Sequence, residues 1–124
     1  MMKNTLCWTE IPVIKLDRAI AFYSAVLGAK VPKETAEPGI EYGLLPWTDG
    51  AASGSLHLAT GNEPSLKGPL IYLSVEGRLD DAIRMTAEKG GRIVEGKHQI
   101  GPHGFRAVIV DSEGNRLALH SMKP

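Results

Sequence analysis

Leu16-Asp17-Arg18-Ala19-Ile20 returns 63 residues later as Leu79-Asp80-Asp81-Ala82-Ile83, identical at four of five positions. The same offset pairs Gly28 with Gly91 and Val31 with Val94. Each copy reads as a helix. The first runs from Asp17, a good N-cap residue, to about Leu27, before Gly28 at the C′ position. Its apolar residues Ile20, Tyr23 and Leu27 recur at helical spacing, with Phe22 and Val26 widening the stripe. The second runs from about Leu79 to Lys89 and stops at Gly90-Gly91. A shared start, a shared stop and a fixed offset point to a duplicated unit of about sixty residues.

Strand-like runs flank both helices. In the first half they are Leu6–Val13, Ala29–Glu34, Glu41–Trp47 and Ser55–Thr60; in the second, Leu70–Glu76, Arg92–Lys97, Phe105–Asp111 and Arg116–Met122. Turn residues separate them at Pro38-Gly39, Asp49-Gly50, Gly101-Pro102 and Ser112-Glu113-Gly114-Asn115. Each half therefore reads strand, helix, then three strands. The fold class is α+β: two βαβββ units form a curved mixed sheet around a cleft, with helices on the outer face. The first unit spans about 5–61 and the second about 69–122 of a single domain covering 1–124. Gly61–Pro69, rich in Gly, Pro, Asn and Ser, is the linker.

Strand alternation sorts the side chains. Ile71, Leu73 and Val75 share one face and Leu70, Tyr72 and Ser74 the other; Leu117 and Leu119 oppose Arg116, Ala118 and His120. Leu56 and Leu58 oppose Ser55, His57 and Ala59, while Leu6, Trp8 and Glu10 alternate with Cys7, Thr9 and Ile11. The aliphatic faces belong under the helices, and Cys7 is expected there as a buried, inert thiol. The remaining faces gather Trp8, Glu10, His57, Tyr72, Arg116 and His120, a set suited to a small-molecule pocket.

Bulk properties exclude other classes. Fourteen basic and fourteen acidic side chains cancel, so no broad basic surface for nucleic acid is expected. No run approaches the roughly 18 apolar residues of a membrane span, and the opening Met1-Met2-Lys3-Asn4-Thr5-Leu6 lacks a signal-peptide core. A single cysteine permits no internal disulfide, and a cytoplasmic location is expected.

Glu10-Ile11-Pro12-Val13, Leu16 to Tyr23, Val26-Leu27-Gly28 and the closing run Phe105 to Leu117 resemble the vicinal oxygen chelate superfamily. That group includes glyoxalase I, bleomycin-resistance proteins and extradiol dioxygenases. Its usual closing turn, Asp-Pro-Asp/Glu-Gly-Asn, stands here as Asp111-Ser112-Glu113-Gly114-Asn115, with serine for proline. The resemblance implies paired βαβββ units around a cleft, often in a homodimer, and in its enzymes a divalent metal held by four side chains. Those positions fall at Trp8, His57, Leu70 and Ala118, of which only His57 can coordinate a metal. No cofactor is therefore expected. The alternative is a divalent metal on His57 with Glu10 or His120.

Two functional classes stay open. One is a protein that binds a small organic ligand without metal, through Trp8, Glu10, Tyr42, Trp47, His57, Tyr72, Phe105 and His120. The other is an enzyme: either a metal-dependent lyase, isomerase or dioxygenase, or a metal-free acid–base catalyst using Glu10, His57 and His120. The segment Lys97 to Arg106, with His98 and His103, reads as a rim over the cleft or as a plain hairpin loop.

Overall fold

The first four strands of the computed structural model, which describes residues 4–36 and 39–124, are β1 (Trp8–Val13), β2 (Lys33–Ala36), β3 (Ile40–Leu44) and β4 (Ser53–Leu58). They form one sheet in the order β1-β4-β3-β2, with α1 (Leu16–Leu27) between β1 and β2. The second unit repeats the plan. β5 (Tyr72–Ser74), α2 (Leu79–Glu88), β6 (Arg92–Gln99), β7 (Phe105–Val110) and β8 (Arg116–Ser121) give a sheet ordered β5-β8-β7-β6. In both sheets the first strand pairs parallel to the last, and the other pairings are antiparallel. The duplication read from the helices is thus a duplication of topology. The architecture is two open four-stranded sheets, not one continuous sheet. Pro38 of the expected Pro38-Gly39 turn, and Met1 to Lys3, lie outside the described residues.

One hydrophobic cluster runs through both units. It takes Ile11, Val13 and Leu56 from the first sheet, Ala107, Ile109, Leu117 and Leu119 from the second, Val75 just after β5, and Ala19, Phe22, Tyr23, Val26, Leu79 and Ala82 from the helices. Each sheet turns its aliphatic face to this core, as alternation requires, and leaves the other face open. Two apolar expectations are corrected here. Leu58 is half exposed because β4 runs past the helix-covered area, and Cys7 is exposed because it precedes β1 and never enters the core.

The helix stops follow the glycines. Gly28 adopts φ 66°, left-handed, and donates its N–H to the Ser24 carbonyl. A Cβ there would come within 2.6 Å of the Arg78 guanidinium, which donates to the Val26 carbonyl at 2.8 Å and pairs with Asp81. The residue that opens α2 thereby caps the end of α1. The start of α1 departs from the sequence reading. Helix begins at Leu16, and Asp17 lies in its first turn, paired with Lys33. A distant residue substitutes for the local cap: Glu113 accepts from the N–H groups of Ile14 and Lys15, both at 2.9 Å, and from Arg18.

That residue belongs to the turn Asp111 to Asn115. Asp111 Oδ1 accepts the N–H groups of Glu113, Gly114 and Asn115, while Oδ2 accepts from Tyr23 Oη at 2.5 Å and from Asn115 Nδ2. Asn115 Nδ2 also donates to the Pro12 carbonyl at 2.8 Å. This closing turn is a clamp joining the second unit to β1 and α1 of the first. Burial pushes the Tyr23 phenol well above its usual range, and Asp111 adds to the effect. Its counterpart 63 residues earlier, Thr48-Asp49-Gly50-Ala51-Ala52, lacks every side chain that makes these bonds. Among the described residues no helix is long and apolar enough to cross a membrane.

Candidate ligand cleft

The open faces carry the polar residues that alternation assigned to them. Strand register makes the two faces comparable: Pro12 opposes His57 on the first sheet, and Ser74 opposes His120 on the second. His57 and His120 are therefore counterparts. Across β3 and β7 their partners are Tyr42 and Arg106. Two residues back along the same strands, Ser55 is the counterpart of Ala118.

On the first sheet these residues form a connected set. Trp8 Nε1 donates to Ser55 Oγ at 3.1 Å, and Ser55 Oγ lies 2.7 Å from His57 Nε2. An indole N–H can only donate, so the serine hydroxyl accepts from Trp8, and its second contact is with His57 Nε2. Glu10 Oε2 approaches the same Nε2 at 3.8 Å, and the Tyr42 ring stacks on His57 with centroids 5.5 Å apart. Because serine and glutamate address one nitrogen, they do not make a nucleophile–base–acid relay, which needs both ring nitrogens. Ser55 is also buried.

The second sheet holds a different set. Arg106 Nη1 donates to Tyr72 Oη at 2.5 Å, its Nε donates to His98 Nε2 at 3.0 Å, and Glu95 lies 3.7 Å away. His98 Nδ1 faces the Gly96 carbonyl at 2.8 Å, so the ring bridges that carbonyl and Arg106. His120 Nε2 donates to the His103 carbonyl at 2.6 Å, which ties the short 3-10 turn Gly101–His103 to β8. Its ring lies 6.2 Å from Tyr72.

A cleft of about 1050 Å³ opens along β1, β5 and the linker, with Trp8, Glu10, Leu70, Tyr72, Lys67 and Arg116 in its wall. Trp8, Glu10 and Tyr72 thus share one cavity. His57 and Tyr42 stand behind Glu10 and Trp8 on the first sheet, whereas His120 faces Tyr72 on the second. No hydrogen bond, ion pair or ring contact among the described residues joins His120 to Glu10 or His57. Trp47 lies beyond the end of β3, half exposed, because the strand stops at Leu44. Phe105 packs against the core with Ala107 and does not face the cleft. His98 was named from sequence as part of a rim or loop; Ser55, Arg106 and Lys67 were not singled out. Alternation already put Ser55 on the face of His57, whereas only strand register could have found Arg106, the neighbour of His120.

The metal expectation can be tested on the donors. Of the four positions the resemblance implies, Trp8, Leu70 and Ala118 offer no metal ligand. His57 is two residues past the counterpart of Ala118, and at that counterpart Ser55 already bonds Trp8. Glu10 and His57 meet as a pair, but among the described residues no three His, Cys, Asp or Glu side chains could hold an ion together. The residues present do not fit a four-ligand centre.

Comparison with known proteins adds the following. The model of the Glyoxalase/Bleomycin resistance protein/Dioxygenase superfamily matches residues 5–119. CFP32 of Mycobacterium bovis and of Mycobacterium tuberculosis, named provisionally as a glyoxylase, is 30% identical over 114 residues, covering 90% of this chain. The chain spans 41% of the length of those relatives. A glyoxalase/bleomycin resistance protein from Albidiferax ferrireducens superposes with TM-score 0.72 at 15% identity, covering 95% of this chain and 98% of the other. A family enzyme from Burkholderia phytofirmans gives 0.66 at 15% identity, covering 96% and 99%. At these identities the superpositions speak for the fold alone.

Proposed function

The chain belongs to the Glyoxalase/Bleomycin resistance protein/Dioxygenase superfamily, and from that premise we propose that it binds a small organic ligand without a metal ion. The observation that carries this reading is the Trp8–Ser55 hydrogen bond, which joins two counterparts of the implied ligand positions beside a large, mainly apolar cleft. Bulky rings at Trp8 and Tyr72 supply stacking surface, and Glu10 supplies an acceptor. Exposed apolar residues such as Leu6, Ile40 and Trp47 support a homodimer, and the cytoplasm remains the proposed location.

The test begins with metal content of protein purified without a His-tag, followed by calorimetric titration with zinc, nickel, manganese and iron. The expected result is no stoichiometric binding. Thermal-shift screening of small aromatic compounds should then find ligands whose effect is lost in Trp8→Ala. Stoichiometric metal binding abolished by His57→Ala would overturn the reading and favour a metal-dependent lyase, isomerase or dioxygenase.

One observation supports a second reading, metal-free acid–base catalysis. His57 Nε2 lies 2.7 Å from Ser55 Oγ with Glu10 close by, an arrangement able to move a proton at a bound substrate. Turnover of a ligand found in the screen, abolished in His57→Gln while binding persists, would distinguish it.

A further inference from the structure

Four of the six arginines, Arg18, Arg78, Arg84 and Arg106, are in ion-pair contact with a carboxylate. Arg92 is exposed to solvent. Arg116 is neither. It is partly buried in the cleft wall, has no carboxylate in ion-pair contact among the described residues, and its Nε is buried with no hydrogen-bond partner. Its single side-chain bond is a long one, from Nη2 to the Gly68 carbonyl at 3.3 Å. A guanidinium keeps its charge at any ordinary pH and presents five N–H groups. A buried cationic donor left without an acceptor costs stability unless something in the functional state supplies one.

The surroundings are arranged to receive an acceptor. The linker is docked on this residue: Arg116 N–H donates to the Ser65 carbonyl at 3.2 Å, and Ser65 N–H donates to Asn115 Oδ1 at 3.3 Å. Lys67 N–H then bonds Ser65 Oγ at 3.0 Å, bringing Lys67 to the same rim. Glu63 shares that rim and is in ion-pair contact with neither cation. Leu70 and Tyr72 continue the wall away from Arg116, and Trp8 lines the same cavity.

We propose that Arg116, with Lys67, anchors the carboxylate of a ligand whose aromatic or apolar body lies along Leu70, Tyr72 and Trp8. The guanidinium N–H groups that Gly68 leaves free supply donors for a carboxylate's two oxygens, and their charge strengthens those bonds. Arg116 thereby fixes the ligand's orientation. The inference rests on the cleft being a ligand site, and deepens that reading by naming the chemical class.

Two signals separate the two claims. The Arg116 Nε–H and Trp8 Nε1–H resonances of ¹⁵N-labelled protein, assigned with Arg116→Lys and Trp8→Phe, are followed while 2-naphthoate is added, with neutral 2-naphthamide as control. The expected result is saturable movement of both with naphthoate, and affinity at least ~10-fold weaker for the amide and for naphthoate with Arg116→Gln. Movement of Trp8 alone, or equal affinity for acid and amide, overturns the anchor and leaves the cleft reading standing. Movement of Arg116 alone keeps the anion site and overturns the aromatic cleft. Movement of neither overturns both.

Discussion

Replacing Glu113 with Gln keeps the side chain's shape and removes its charge, so it isolates what the closing turn contributes electrostatically. The Glu113 side chain is wholly inaccessible, and burial alone would raise its pKa. Bonds from Arg18, the Lys15 N–H, Ser112 and the Ile14 N–H outweigh burial and hold the carboxyl at about 2, against an ordinary 4.5. At about 1.36 kcal/mol for each tenfold change in proton affinity, that gap corresponds to about 3 kcal/mol. Arg18 is half exposed, so solvent and salt screen part of it, and about 2 kcal/mol is the expected net loss. The folded pKa is depressed, so this stability is present in full above about 4.5 and disappears as pH falls towards about 2. Urea denaturation followed by circular dichroism at pH 7, 5, 4, 3 and 2.5 measures it. Wild type should exceed Glu113→Gln by about 2 kcal/mol at neutral pH, with the gap narrowing below about 4.5. A gap under about 0.5 kcal/mol at pH 7, or one unchanged down to pH 2.5, refutes the clamp as an electrostatic device.

Gly28→Ala should destabilise by about 1–2 kcal/mol, because it imposes a left-handed φ on alanine and drives a Cβ into Arg78. Thermal melts of Gly28→Ala and Gly28→Ala/Arg78→Ala check it: a smaller loss in the double variant than in the two single variants combined identifies the steric part. Cys7 is exposed, so one equivalent of a thiol reagent should react in the native protein at the rate of a small-molecule thiol. Reaction only in denaturant would return Cys7 to the core.

The sequence carried the duplication, both helix stops and the sorting of faces on β5 and β8, because these rest on local periodicity and on glycine's conformational freedom. Ile71, Leu73 and Val75 are opposed to Tyr72 and Ser74 by the pleat alone. What escaped depends on distant partners. Asp17 has every local property of an N-cap, yet the cap is Glu113, close to a hundred residues away. Ser55 reads as an ordinary strand serine until its side-chain contacts join it to Trp8, on another strand, and to His57. Arg106 was hidden in a segment read as a rim or loop, although its chemistry comes from His98 on the adjacent strand and Tyr72 two strands away. Likewise Cys7 and Leu58 obey alternation, yet Cys7 precedes β1 and Leu58 ends β4, boundaries no period can reveal.

The clamp also constrains how the chain is made. The bonds of Asp111, Glu113 and Asn115 to Tyr23, Ile14, Lys15 and Pro12 span 88 to 103 residues, and no equivalent exists in the first unit. On the ribosome, β1 and α1 emerge long before the side chains that close them, so the first unit waits on the second. Contacts of such separation favour a late, concerted closure over unit-by-unit assembly. A nascent chain halted before Asp111 would expose an uncapped α1 and an unfinished core, so protease resistance of both units should appear only once the turn Asp111 to Asn115 is free to close.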